Sequence, residues 1–260
     1  MERPPFEWIV LGAGSILPRA GYGPAGYALL RADTGRATLF DCGPGTVRLL
    51  APAGLDVQTI ERVVVSHFHP DHVLDLFALA FARRNPSGPP CGPIQLVGPR
   101  GLGELLERGA ALAGSRSWTR FEHASVIEVE PGCAPFDPGG DGLVLRCAAT
   151  GHAPEALAWR AELGGRSVVF SGDSGEVDAL AELARGADLF VCECSFQDER
   201  AVEHHLTPSS AARLAVRAGA RRLVLTHFYP ENDPAAARAV AARTFGGPVE
   251  LARDLARFTP

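Results

Sequence analysis

Nine apolar, largely β-branched runs recur along the chain: WIVLGAG (8–14), YALLRA (27–32), ATLFDCG (37–43), RVVVSH (62–67), IQLVGP (94–99), LVLRCAA (143–149), SVVFSGD (167–173), DLFVCEC (188–194) and RLVLTH (222–227). Short apolar, β-branched runs of this kind predict strands. Between several of them the apolar positions take helical spacing, at 73–84, 101–113, 178–185, 208–219 and 234–244. The clearest of these helices is 208–219. Thr207 and Pro208 open it and Gly219 closes it, a capped pattern. Many strands with fewer interspersed helices predict a layered α/β architecture. The turn-rich RRNPSGPPCGP (83–93) is too short for a domain linker, so a single domain over residues 1–260 is expected.

The pattern also echoes itself. RVVVSHFHP (62–70) resembles RLVLTHFYP (222–230), and TLFDCGPG (38–45) resembles VVFSGDSG (168–175). Two related halves, roughly 1–125 and 126–260, are therefore expected, each ending strands in polar loops at one edge of the sheets. That placement would bring His227 near the first histidine turn.

Composition narrows the function classes. The 260 residues carry a net charge of −5, and all 25 basic residues are Arg, so no basic excess favours broad nucleic-acid binding. MERPPFEWIV does not read as a secretory signal, and VLDLFALAFA is too short to span a bilayer, so no membrane partner is expected. Six cysteines form no C-x-x-C pair, which fits reduced thiols and a cytoplasmic setting. GAGS (12–15) has Leu17 where a dinucleotide-binding fingerprint needs its third glycine, which argues against a Rossmann site.

The chemistry concentrates in SHFHPDH. His67, His69, Asp71 and His72 fall within six positions behind a predicted strand, where imidazoles and a carboxylate are costly to bury without partners. Neutral His and Asp are good ligands for zinc and similar first-row metals. His152 after RCAATG, Asp173 after SVVFSG and His227 after RLVLT each sit at a predicted strand end. Singly, each reads as a turn residue or a satisfied histidine; with the cluster they complete a ligand set.

In this order VLGAGSILP, LFDCGPGT, SHFHPDH, TGH, SGDS and LTHF resemble the motifs of the metallo-β-lactamase superfamily, from residue 10 to about 230. The resemblance implies a four-layer αββα sandwich with two divalent metal ions at one edge, zinc, with manganese or iron as alternatives. It implies His67, His69 and His152 on one metal, Asp71, His72 and His227 on the other, and Asp173 between them. Such a pair acidifies water and stabilises charge on a phosphoryl or carbonyl oxygen, and Asp71 could orient the attacking water. Asp41 in FDCG would support the site from behind its ligands. His123 and His204 read as structural or solvated.

Within the superfamily, CECSFQDERAVEHHLTP (192–208) resembles ribonuclease Z enzymes. Glu193 matches their strand-end glutamate and His205 the histidine that acts on the scissile phosphate; Cys192 replaces a usual histidine. The resemblance implies that His205 protonates the leaving oxygen while Glu193 holds its tautomer. Only APEALAWRAELGGRSVVFSG separates His152 from Asp173, which leaves no room there for the basic arm of tRNA-processing members. A hydrolase of small or cyclic phosphodiesters is therefore the expected function, with tRNA 3′ processing second and an RNA substrate then implied. A lactonase-type or iron-dependent redox member of the fold is the remaining alternative. Related enzymes are often homodimers, which no surface stretch here argues independently.

Overall fold

The computed structural model describes residues 4–85, 87–88, 90–111 and 118–260. Its first sheet holds β1 (Phe6–Gly12), β2 (Gly26–Arg31), β3 (Ala37–Cys42), β4 (Ile60–Val64), β5 (Ile94–Pro99) and β6 (Ala124–Val129). The second holds β7 (Val144–Ala149), β8 (Leu157–Leu163), β9 (Arg166–Phe170), β10 (Leu189–Glu193), β11 (Leu223–Thr226) and β12 (Val249–Leu251). A last strand, β13 (Arg257–Phe258), returns to pair with β1 in the first sheet. Leaving aside β13, which pairs antiparallel with β1, each sheet follows one pairing order, two antiparallel ladders and then three parallel ones.

Alternation explains why these strands read as unbroken apolar runs. In β1, Phe6, Trp8 and Val10 face the core between the sheets, while Ile9 and Leu11 face outward under helices. In β10, Leu189 and Val191 join the central core and Phe190 and Cys192 the outer one. Helices α1 (Thr46–Leu50), α2 (Pro70–Val73), α3 (Asp75–Arg83) and α4 (Leu102–Ala110) cover the first sheet, burying Leu50, Val73, Leu76 and Leu102 against it. Helices α5 (Asp178–Leu183), α6 (Pro208–Ala218) and α7 (Pro234–Phe245) cover the second. The result is the expected four-layer αββα sandwich. Two faces per strand need apolar side chains, so period-two polarity is lost.

The differences from the sequence expectation are local. The expected helix 73–84 begins earlier, at Pro70, and is stepped at Leu74 between α2 and α3. The expected helix 101–113 ends at Ala110, and its residues 112–113 lie outside the described ones, as do 86 and 89 of the expected loop. Strands β6, β8, β12 and β13 and the short α1 were not expected. In β8 only Leu157, Trp159, Ala161 and Leu163 reach the central core, while Arg160 and Glu162 point outward and break the apolar run. β6 is an edge strand whose first three residues are exposed. β8 and β9 meet at Gly164 and Gly165, both at positive φ (56° and 75°), the backbone that a two-residue hairpin turn requires.

Several contacts stitch the sheets together along one edge. Leu157 N–H donates to the Ser66 carbonyl (2.9 Å) and the Trp159 indole to that of Val65 (3.0 Å). Tyr27 and Thr226 hydroxyls meet at 2.7 Å, and Phe228 N–H donates to the Ala13 carbonyl. These bonds hold the ends of β4 and β11 in register across the sandwich. The site lies at that edge.

Candidate metal centre

His67 and His69 leave the end of β4, and the chain then turns directly into α2. His69 caps that helix, Pro70 supplies the preset φ of its first turn, and His72 N–H bonds back to the His69 carbonyl. This tight turn is why four polar residues share one small volume. His152 follows β7, Asp173 follows β9 and His227 follows β11. All seven residues singled out in the sequence meet here. One ligand atom each from His67, His69, His152 and Asp173 falls within 4.8 Å of the others, and likewise for Asp71, His72 and His227.

Asp173 stands between the two groups. Its Oδ2 is 3.9 Å from His67 Nε2 and 3.7 Å from His152 Nε2, whereas its Oδ1 is 3.3 Å from both His72 Nε2 and His227 Nε2. His227 Nε2 is also 3.7 Å from Asp71 Oδ2. His67 Nε2, His72 Nε2, His227 Nε2 and Asp173 Oδ1 are buried without a hydrogen-bond partner. Four such atoms within one small volume are too costly to leave bare, and their donor types suit divalent first-row metals. The residues fit a metal pair.

The opposite ring nitrogens of His67, His72, His152 and His227 are held. His72 Nδ1–H donates to Asp41 Oδ2 (2.6 Å), and Ser66 gives Asp41 both its amide and its hydroxyl, each at 2.7 Å. With that hydroxyl donating, Ser66 Oγ accepts from His67 Nδ1 at 3.0 Å. On the second side Ser195 Oγ donates to Glu193 Oε2 and accepts from His227 Nδ1 at 3.1 Å. His152 Nδ1 donates to the His204 carbonyl (3.1 Å). Each arrangement leaves a lone pair on the nitrogen that faces the site. Asp41 and His227 both adopt positive φ (57°), backbone strain of the kind kept at functional sites.

Electrostatics points the same way. Burial, reinforced by the imidazoles of His72, His69 and His152, pushes His67 well below the usual histidine range. Burial opposes protonation of His72 too, but Asp173 and Asp41 override it and raise its pKa. At His227 Asp173 and Asp71 do the same against burial. The carboxylates thus demand positive charge at the centre, which divalent cations held there would supply.

Glu193, fully buried at the end of β10, accepts from Ser174 N–H (2.6 Å), Leu206 N–H (3.2 Å) and His205 Nδ1 (3.1 Å). The His205 ring sits at the rim, its centroid 4.7 Å from that of His152 and 6.3 Å from that of His227. Burial would lower its pKa, but the bond and charge of Glu193 raise it.

The β-lactamase superfamily domain matches residues 36–228. The chain belongs to that superfamily. A ribonuclease Z of Mycobacterium sp. (strain KMS) is 34% identical over 277 residues, covering 97% of this chain and 95% of the relative. The metallo-β-lactamase fold protein YhfI from Bacillus subtilis superposes with a TM-score of 0.85 at 25% identity, covering 98% of this chain and all of that one. The short form of human tRNase Z superposes at 0.77 with 27% identity, covering 97% and 98%. Within the superfamily this is a ribonuclease Z-like, metal-dependent hydrolase.

Three contributors escaped the sequence reading. Ser66 and Ser195 hold His67 and His227, and His204 acts through its carbonyl while its side chain is solvated as expected. Ser195 could have been found: it lies two residues beyond Glu193, hence on the same side of an extended chain. A backbone carbonyl leaves no such signal. His123 is exposed, away from the centre. Among the described residues no helix is long and apolar enough to cross a membrane.

Proposed function

We propose that this protein hydrolyses small or cyclic phosphodiesters at a centre of two divalent ions, with zinc the best match to the His and Asp donors. His67, His69 and His152 would hold one ion, Asp71, His72 and His227 the other, and Asp173 both. Ions held there would supply Lewis acidity to a phosphoryl oxygen and to the attacking water. The observation that carries the reading is His205, held by Glu193 at the rim of the two donor groups. With Nδ1–H committed to Glu193 and its pKa raised, His205 keeps a second proton on Nε2 to higher pH than an ordinary histidine. That proton suits the departing phosphate oxygen. Asp71, beside His72 and His227, would orient the incoming water. Six free thiols fit a cytoplasmic setting.

Purified protein loaded with zinc should carry close to two ions per chain, and His67→Ala should carry fewer. It should turn over bis(4-nitrophenyl) phosphate with higher kcat/KM than a lactone. His205→Ala should keep its metal and lose roughly 10²–10⁴-fold in kcat on diesters with poor leaving groups. The loss should shrink when the leaving group is nitrophenolate, which needs little protonation. A lactone preference, or near-wild-type turnover by His205→Ala on a poor-leaving-group diester, overturns the reading.

Processing of tRNA 3′ ends is the second reading, favoured by the ribonuclease Z relatives. Against it stands the β8–β9 hairpin, which takes up the chain between His152 and Asp173 with a two-residue turn and no arm. The alignment with the mycobacterial relative, at 277 residues, is longer than this 260-residue chain, so that relative carries stretches this chain lacks. Without a basic arm, cleavage of tRNA precursors should be weak and steeply salt-dependent. Specific 3′ cleavage at nanomolar enzyme and physiological salt would promote the second reading over the first.

A further inference from the structure

On β7 and the turn beside it, two cysteines outside the ligand set face each other. Cys147 Sγ lies 3.5 Å from Cys133 Sγ, and both are free thiols. Their backbones are already fastened. Glu130-Pro131-Gly132-Cys133 forms a tight turn closed by Cys133 N–H to the Glu130 carbonyl, with Pro at its second position and Gly132 at φ 76° in its third. Gly132 N–H donates to the Cys147 carbonyl, and Phe136 and Leu145 exchange both backbone bonds just beyond. Turn and strand are thus clamped on either side of the sulfur pair. The sulfurs have only to close from 3.5 Å to a bond length of about 2.05 Å.

The pair is also reachable. Both cysteines line an open cleft of about 540 Å³ bordered by Pro135, Arg146, Arg160 and Leu183. Cys133 is half-buried and Cys147 nearly fully buried, so a small oxidant meets Cys133 first. Burial, then the neighbouring thiol, pushes the Cys147 thiol up to about 12, which leaves it the resolving partner.

We propose that Cys133 and Cys147 form a peroxide-responsive dithiol, a modification site separate from the hydrolytic centre. The Cys133 thiolate attacks a hydroperoxide oxygen; a sulfur–oxygen bond forms, the oxygen–oxygen bond breaks, and the released alkoxide or hydroxide takes up a proton. The Cys147 sulfur then attacks Cys133, forming the disulfide, while water leaves with the Cys133 oxygen and the Cys147 proton. Two thiols are oxidised and one peroxide is reduced. The bridge fastens the 130–135 turn to the β7 edge of the second sheet, five residues before His152.

The test uses reduced, full-length protein and one equivalent of hydrogen peroxide, followed by alkylation and peptide mass mapping. Expected is loss of two of the six thiols, a peptide pair lighter by two hydrogens joining Cys133 to Cys147, and full recovery with dithiothreitol. Cys91→Ser, at a half-buried cysteine remote from the pair, should behave identically; Cys133→Ser should leave Cys147 alkylatable. Cys133 recovered as sulfinate beside an alkylated Cys147 overturns the proposal. So does a disulfide between chains through Cys91, or no thiol loss in the wild-type protein, a result that needs no variant to fold.

Discussion

At Ser195 the hydroxyl proton goes to Glu193, so only lone pairs remain for the histidines around it, and His227 Nδ1 at 3.1 Å is the nearer. The same device serves His67 through Ser66 and Asp41 on the first side. Ser195→Ala should free the His227 ring to change tautomer and rotate. Metal affinity, read by competition with a chromophoric chelator, should fall roughly 10–100-fold, the usual cost of losing such a support. Ser195→Thr, which keeps the hydroxyl, should restore it. Unchanged affinity in the alanine variant would make Ser195 packing alone. This layer of the site was the least legible in the sequence. His67, His69, Asp71 and His72 declare themselves by spacing, because ligands on one turn must be close in sequence. Ser195 and the His204 carbonyl act on rings 32 and 52 positions away, and only folding reveals those pairs.

Among the elements, β9, β10 and β11 start from a shared anchor. Asp188, just before β10, accepts from Ser167 N–H (2.9 Å) and hydroxyl (3.1 Å) and from Arg166 and Arg221 (3.0 Å each). Burial would raise its pKa, but the Ser167 and Arg166 bonds and the Arg221 charge lower it below the usual carboxylate value. A depressed folded-state pKa gives stability that is fully present above the unfolded value, near pH 4, and is lost as pH falls through the folded one. Asp188→Asn should therefore cost about 1–2 kcal/mol at neutral pH, with the gap to wild type closing below pH 4. Urea midpoints measured from pH 7 to pH 3 decide it; a gap that stays constant across that range rules the linkage out. Most elements were readable because their local signals agree with their environments. Thr207 caps α6 with a reciprocal Ser210 bond and Gly219 ends it at φ 59°, as the sequence suggested. β8 was missed because one face carries Arg160 and Glu162, and β6 because an exposed edge has no need of apolar residues.

For the whole molecule, the ligands divide between sheets. His67, His69, Asp71 and His72 come from the first half of the chain and His152, Asp173 and His227 from the second, so cations there would tie the halves together. Removing them should lower stability as any ligand specific to the folded state does, about 2.7 kcal/mol per site when present at a hundred times its Kd. For a domain of this size that corresponds to a Tm fall of roughly 5–10 °C per site on chelation, measured by calorimetry. Identical melting with and without chelator would deny the metals a structural role. Of the two sequence echoes, only one falls on matching strands: TLFDCGPG and VVFSGDSG end β3 and β9, the third strand of each sheet. The partner of β4 by pairing order is β10, not β11, and it is β10 that leads into Ser195 as β4 leads into Ser66. The return of β13 to the free edge of β1 has a kinetic consequence. Trp8 pairs with Phe258, so the first sheet acquires its outermost ladder from a segment far downstream in the chain. During translation the half that emerges first must wait with β1 unpaired on that side until the second half has left the ribosome. Pulsed proteolysis of stalled nascent chains should find β1 protected only in chains long enough to expose residue 258, and early protection would mean that β1 orders without its late partner.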